Sequence, residues 1–136
     1  MTRHDARREA LYLTFEYSFK KDQSPEEIIA LASEARETDF DDFTVKLFTG
    51  VCAHLDEIDG YIRKSTVNWK FERLTRVSLA VLRLCTYEML YEDEIDASVS
   101  INEAVELTKE IDDEKGVKFV NGVLGRIYKL INEPEE

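Results

Sequence analysis

The sequence predicts an all-α fold of six to seven helices, and three observations carry that prediction. Apolar residues recur at three- and four-residue spacing along nearly the whole chain. Capping signals open several of these runs. Only five Gly and two Pro occur in 136 residues, too little punctuation for many short strands. A chain of this length buries roughly two thirds of the surface its unfolded form exposes, so it folds without a disulfide or metal.

The elements follow in order. Ala6, Ala10, Leu13 and Tyr17 form one stripe, with Leu11 and Phe15 beside it, which predicts a first helix over about 5–20. Ser24-Pro25-Glu26-Glu27 is a capping box with proline at the first helical position, and Ile28, Leu31, Ala32 and Ala35 continue it. Asp39 caps a third helix bearing Phe40, Phe43, Leu47, Val51, Leu55 and Ile58, with a break or bend expected near Gly60. Residues 65–75 are irregular, with one turn of helix at 70–74. Thr75 then caps a helix carrying Val77, Ala80, Val81, Leu84, Tyr87 and Tyr91, apolar over so wide an arc that it belongs at the centre of the core. Ser100-Ile101-Asn102-Glu103 is a second capping box, opening a helix with Ala104, Leu107 and Ile111. Asp112 to Gly116 is expected as a loop. A last helix carries Val120, Val123, Leu124, Ile127 and Ile131, with Pro134 and the terminal glutamates frayed.

Composition narrows function. The net charge of −11 gives the wrong sign for coating nucleic acid non-specifically, so any RNA contact needs a local basic patch. Charge is sorted along the chain. Segment 26–59 holds ten acids and two bases, and segment 86–114 eleven acids and one base. Segment 63–83 reverses this with Arg63, Lys64, Lys70, Arg73, Arg76 and Arg83 against Glu72. Segment 115–129 has Lys115, Lys118, Arg126 and Lys129 and no acid, and the first turn adds Arg3, Arg7 and Arg8. This sorting predicts a local anion site on a body whose acidic face suits a basic partner, although helix-end cations and solvated faces produce islands of the same kind.

Chemistry is mostly absent. His4 and His54 have no ligand-spaced partner, there is no His-Glu-x-x-His, and no metal site is expected. Asn121-Gly122-Val123-Leu124-Gly125 lies in a helical pattern and is no phosphate loop. Cys52 and Cys85 form no Cys-x-x-Cys pair and are expected as buried thiols in a reducing cytoplasm. The N-terminus is amphipathic and does not read as a signal peptide; no run is apolar enough to span a membrane. An enzyme, a cofactor and a small-molecule substrate are not expected.

Several blocks carry a resemblance: Ala6-Arg7 with Ala10; Asn68-Trp69 followed by Glu72-Arg73-Leu74; Val81-Leu82-Arg83-Leu84 with Tyr87-Glu88; Ile101-Asn102-Glu103-Ala104-Val105-Glu106-Leu107 with Lys109; and Lys118-Phe119-Val120-Asn121-Gly122-Val123-Leu124. In this order and spacing, over nearly the whole chain, they resemble the bacterial NusB family of transcription antitermination factors. The resemblance implies two small helical bundles packed together in one domain over residues 1–136, with halves of about 1–65 and 66–136. It implies a non-enzymatic protein that pairs with NusE, a small-subunit ribosomal protein. That pair binds boxA RNA of ribosomal-RNA leader transcripts and supports an RNA polymerase antitermination complex. By the same resemblance Arg3, Arg7, Arg8, Lys115, Lys118 and Phe119 meet RNA, and Glu72, Ser78 and Arg83 meet NusE.

Phosphate contacts of this kind supply affinity and salt dependence. A ring such as Phe119 either stacks on a splayed base or packs within the Val120/Val123 stripe, and Asn121 either joins the site or fixes the loop. His4 and Asp5 stand where the family commonly has basic residues, Ser78 where it frequently has an acid, and Ala97 where proline is frequent. These departures predict weak RNA binding by the chain alone. Three alternatives remain at this point: a protein-interaction module of the same fold that has lost RNA binding, a module of an RNA methyltransferase, and an unrelated regulatory bundle.

Overall fold

Local hydrogen bonds set the helix starts in the computed structural model, which describes residues 1–20, 22–66 and 70–133. The first helix, α1 (Arg3–Tyr17), starts two residues earlier than periodicity suggests. The Thr2 hydroxyl accepts from the Asp5 N–H at 3.0 Å, and the Asp5 carboxylate accepts in return from the Thr2 N–H. Ser24 caps α2 (Pro25–Arg36) as its sequence predicts, accepting from the Glu27 N–H at 3.1 Å.

The third predicted helix is two. Asp41, not Asp39, caps α3 (Asp42–Ala53), and the chain breaks at His54 before α4 (Leu55–Ser65). Gly60, where the break was expected, lies inside α4. A lone glycine costs a helix only about 1 kcal/mol, and the fully buried Ile58 and Ile62 flanking it offset that.

The irregular stretch contains the expected turn, a short 3-10 helix at Phe71–Arg73, while Asn68 and Trp69 lie outside the described residues. Thr75 caps α5 (Arg76–Tyr91), accepting from the Ser78 N–H at 3.0 Å. α6 (Ala97–Ile111) begins before Ser100, which corrects the second capping box. The Ser100 hydroxyl is instead buried and donates to Glu88 Oε1 at 3.1 Å. α7 (Glu114–Asn132) begins inside the expected loop, because the Asp113 carboxylate accepts from the Gly116 N–H at 2.9 Å. Pro134 and the terminal glutamates lie outside the described residues. Among the described residues there are seven α-helices and no strand, so the fold is all-α.

Every residue of α5 from Ser78 to Glu88 is buried, because α1, α3, α4, α6 and α7 all pack against it. One core cluster therefore draws on both parts of the molecule, including Ala10 and Leu11 of α1, Leu47 and Val51 of α3, Leu82 and Leu84 of α5, and Val123 and Leu124 of α7. A second cluster of Leu13, Ile28 and Phe48 pins α2 to α1 and α3. α4 packs on α5 and α7.

Two ion pairs lie inside this packing. Arg83 donates from Nε and Nη2 to the two oxygens of Asp59, each at 2.9 Å. Arg7 donates from Nε and Nη2 to Glu88 at 2.9–3.1 Å. Burial pushes the Glu88 carboxyl up, and Arg7 and Ser100 hold it back.

Candidate nucleic-acid interface

The spacing of α1 places His4, Arg8, Tyr12 and Phe15 along one face, with Phe19 just beyond the helix end. Tyr12 and Phe19 are exposed and Phe15 half-buried. Arg76 fixes Phe19: its guanidinium sits 4.4 Å over the ring and donates to the Ser18 carbonyl. Next to this strip, Leu11, Tyr12, Phe15, Val77, Ala80 and Ile111 line an apolar hollow of about 150 Å³. One residue further along α5 and along the α6–α7 junction, a groove of about 340 Å³ opens between Arg73, Thr75, Ser78, Asp112, Lys115 and Phe119. The two hollows are thus neighbours through Val77–Ser78 and Ile111–Asp112. They join the α1 strip to the start of α7 across the N-terminal end of α5.

The electrostatics of this face follow from its backbone. Two helix N-termini, those of α5 and α7, open at the groove, and α5 has no acid in its first turn. Asp112 and Asp113 partly offset the two dipoles. Gly116 lets the Asp112 carboxylate lie close to the backbone here, since a Cβ would lie 2.1 Å from Asp112 Oδ2 and the carboxylate would have to move.

The residues singled out from the sequence separate into accessible and buried ones. Lys115 and Lys118 are exposed and in no ion pair among the described residues, and Phe119 lies half-buried on the groove wall while packing at the edge of the core. Both readings of Phe119 thus have geometry behind them. Arg3 is exposed, its guanidinium 3.9 Å over the Phe43 ring. Arg8 is partly exposed but engaged by Asp5 and Glu110.

Arg7 must be corrected: it is 4% exposed and committed to Glu88, so it is an interior residue and not a cation awaiting phosphate. Arg83 is corrected for the same reason, since a side chain 1% exposed and bonded to Asp59 cannot touch a partner. Ser78 is buried at the groove wall, reachable only through the groove, and Glu72 is exposed on the 3-10 turn. Sequence reasoning missed Tyr12, Phe15 and Phe19 as surface aromatics. The successive four-, four-, three- and four-residue steps of His4, Arg8, Tyr12, Phe15 and Phe19 were the available signal.

The far end of α5 is different. There His54 stacks on Tyr91 at 4.2 Å, the Tyr91 hydroxyl donates to Glu57, and Glu92, Asp93, Glu94 and Asp96 follow. Burial pushes the Cys52 thiol up to about 12 and the enclosed Cys85 thiol up as well, so both thiols stay protonated. No group of three metal-ligating side chains occurs among the described residues, and no helix there is long and apolar enough to cross a membrane.

Fold and face together define an all-helical protein with a groove that carries cations and an aromatic ring. The sequence signature of the NusB family matches residues 4–129. Transcription antitermination protein NusB of Bacillus subtilis (strain 168) is 43% identical over 133 residues, covering 98% of this chain and 99% of that protein. That of Clostridium botulinum (strain Loch Maree / Type A3) is 37% identical, covering 93% of this chain and 99% of that protein. Among solved structures, T. maritima NusB aligns with a TM-score of 0.82 at 32% identity, covering 95% of this chain and 92% of that one. A chain from the crystal structure of antitermination factors NusB and NusE in complex with dsRNA aligns at 0.81 with 30% identity, covering 95% and 98%. The chain belongs to the NusB family of non-enzymatic transcription antitermination factors.

Proposed function

We propose that this chain pairs with NusE and binds boxA RNA of ribosomal-RNA leader transcripts in the cytoplasm, as part of an RNA polymerase antitermination complex. The observation that carries this reading is the junction of the α1 aromatic strip with Lys115, Lys118 and Phe119 across the start of α5. Single-stranded RNA is held where cations track phosphates and rings receive bases. Lys115, Lys118 and Arg73 supply the cations, and Phe15, Tyr12 and Phe119 the rings. NusE, a basic ribosomal protein, meets Glu72 and the groove wall at Ser78.

The test is titration of boxA-like RNA, with and without NusE, across a salt series. Log affinity should fall with log salt, and Lys115→Ala with Lys118→Ala should flatten the slope by about 0.7 per cation removed. Equal affinity for scrambled RNA with NusE present would overturn sequence-selective binding. A second reading, a protein-interaction module of the same fold with weakened RNA binding, is favoured by the internal engagement of Arg7 and Arg8. It expects no change in the lysine variants.

A further inference from the structure

The cations of the α1 strip are already occupied. Arg8 reaches Glu110 Oε1 with Nε and Nη2, both at 2.8 Å, and gives Nη1 to Asp5. His4 Nε2 lies 2.6 Å from the other Glu110 oxygen, Oε2, and His4 Nδ1 lies 2.5 Å from Glu103 Oε2. Glu110 thus serves two α1 side chains with its two oxygens. Arg8 donates its Nε–H to Glu110 and holds Nη2 at ion-pair distance from the same oxygen, as it would against a phosphate oxygen.

Exposure separates this contact from the interior pairs. His4 and Arg8 are each 29% exposed and Glu110 37%, so an incoming phosphate can reach the same N–H groups. The Arg7–Glu88 pair is sealed from any such exchange.

We propose that Glu110, assisted by Glu103, is an intramolecular phosphate mimic: it holds the α1 cations in the free protein, and RNA gains them only by displacing it. This rests on the RNA-binding reading above and adds a competitor to it. The physical consequence is specific. A cation handed from Glu110 to phosphate was neutralised before and after, so it adds little to counterion release. The salt slope of the intact protein therefore counts Lys115, Lys118 and other unengaged cations, and Arg8 is silent in it.

The test compares two substitutions of equal charge on α6. Glu110→Gln leaves Arg8 with Asp5 as its carboxylate partner, whereas Glu106→Gln changes net charge by the same amount at a residue paired with Lys109. Both are titrated with single-stranded boxA-like RNA across a salt series, after thermal melts have shown that each folds. Glu110→Gln should bind about two- to fivefold tighter, the fold-change of one exposed ion pair. Its salt slope should be steeper by about 0.7. Glu106→Gln should stay near the intact protein.

If the two variants behave alike, the effect is general charge and the proposal is overturned. If the Lys115/Lys118 double variant weakens binding while Glu110→Gln does not strengthen it, the mimicry fails and the RNA-binding reading stands. If the lysine variant binds as the intact protein does, both fall together. A second readout is independent of slopes. Saturating RNA should move the His4 ring resonances as Glu110 leaves, and resonances that stay in place overturn the displacement.

Discussion

Replacing Arg7 by alanine should cost stability and leave RNA affinity to the surface cations. Arg7 is 4% exposed, and its partner Glu88 is 2% exposed. The guanidinium makes three hydrogen bonds to that carboxylate, at 3.1, 3.0 and 2.9 Å. Without them Glu88 keeps only the Ser100 hydroxyl at 3.1 Å. An ion left unpaired in an interior costs about 3–5 kcal/mol, a large share of the 5–15 kcal/mol that holds a typical domain together. Removing both charges avoids that penalty. The double substitution Arg7→Met with Glu88→Met should recover most of the loss, less about 1 kcal/mol for the stranded Ser100 hydroxyl. Urea unfolding followed by circular dichroism reads all three proteins. An Arg7→Ala variant that melts at the intact protein's urea midpoint yet shows a flatter salt slope with RNA would refute the reasoning, because Arg7 would then be reaching phosphate.

Three further outcomes follow from the geometry. The Glu110 and Glu103 carboxylates hold His4 above its ordinary 6.5, while Arg8 and His4 hold Glu110 below its ordinary 4.5. The raised histidine contributes stability that is full below its unfolded pKa and lost as pH climbs through the folded one; the lowered carboxylate contributes stability present above its unfolded pKa and lost as pH falls through the folded one. The α1–α6 contact should therefore be firmest between 4.5 and 6.5, and the stability gap between intact protein and His4→Gln should narrow as pH climbs through the folded-state pKa of His4, read by melts across pH. Gly50→Ala places a Cβ 2.3 Å from the Tyr87 ring, which His54 and Tyr91 hold in a stack, and should cost about 1–3 kcal/mol. Gly60→Ala meets nothing within 4 Å and should be neutral or stabilising; thermal melts giving both variants the same sign would contradict this account.

What the sequence made legible was local. Ser24 and Thr75 cap where their own side chains can reach the N–H groups three residues on, so short windows suffice. Ser100 shows the limit. It has the same signature as Ser24, but Glu88, twelve positions away, takes its hydroxyl, and the helix starts earlier. Gly60 fails similarly, because burial of Ile58 and Ile62 carries the helix through it and burial is not a local property.

The largest gap concerns charge. Arg7, Arg83 and Glu88 belong to the blocks that carry the family resemblance, and a count of charges treats them as surface. They are interior groups joined over long separations, Arg7 to Glu88 and Arg83 to Asp59. Lys115 and Lys118 are accessible, and no carboxylate among the described residues forms an ion pair with either. The aromatic strip was hidden because Phe15 shares its helix with a true core stripe, and only the packing of α5 and α6 shows which rings stay outside.

The enclosed helix α5 runs sixteen residues, about 24 Å from end to end, and only its tips reach the surface. One tip opens among cations and helix starts; the other emerges beside Tyr91, Glu92, Asp93 and Glu94. The innermost segment therefore ends among Arg73, Arg76 and Lys115 at one tip and among carboxylates at the other, and a polyanion near the protein would feel that difference before any side chain touched it.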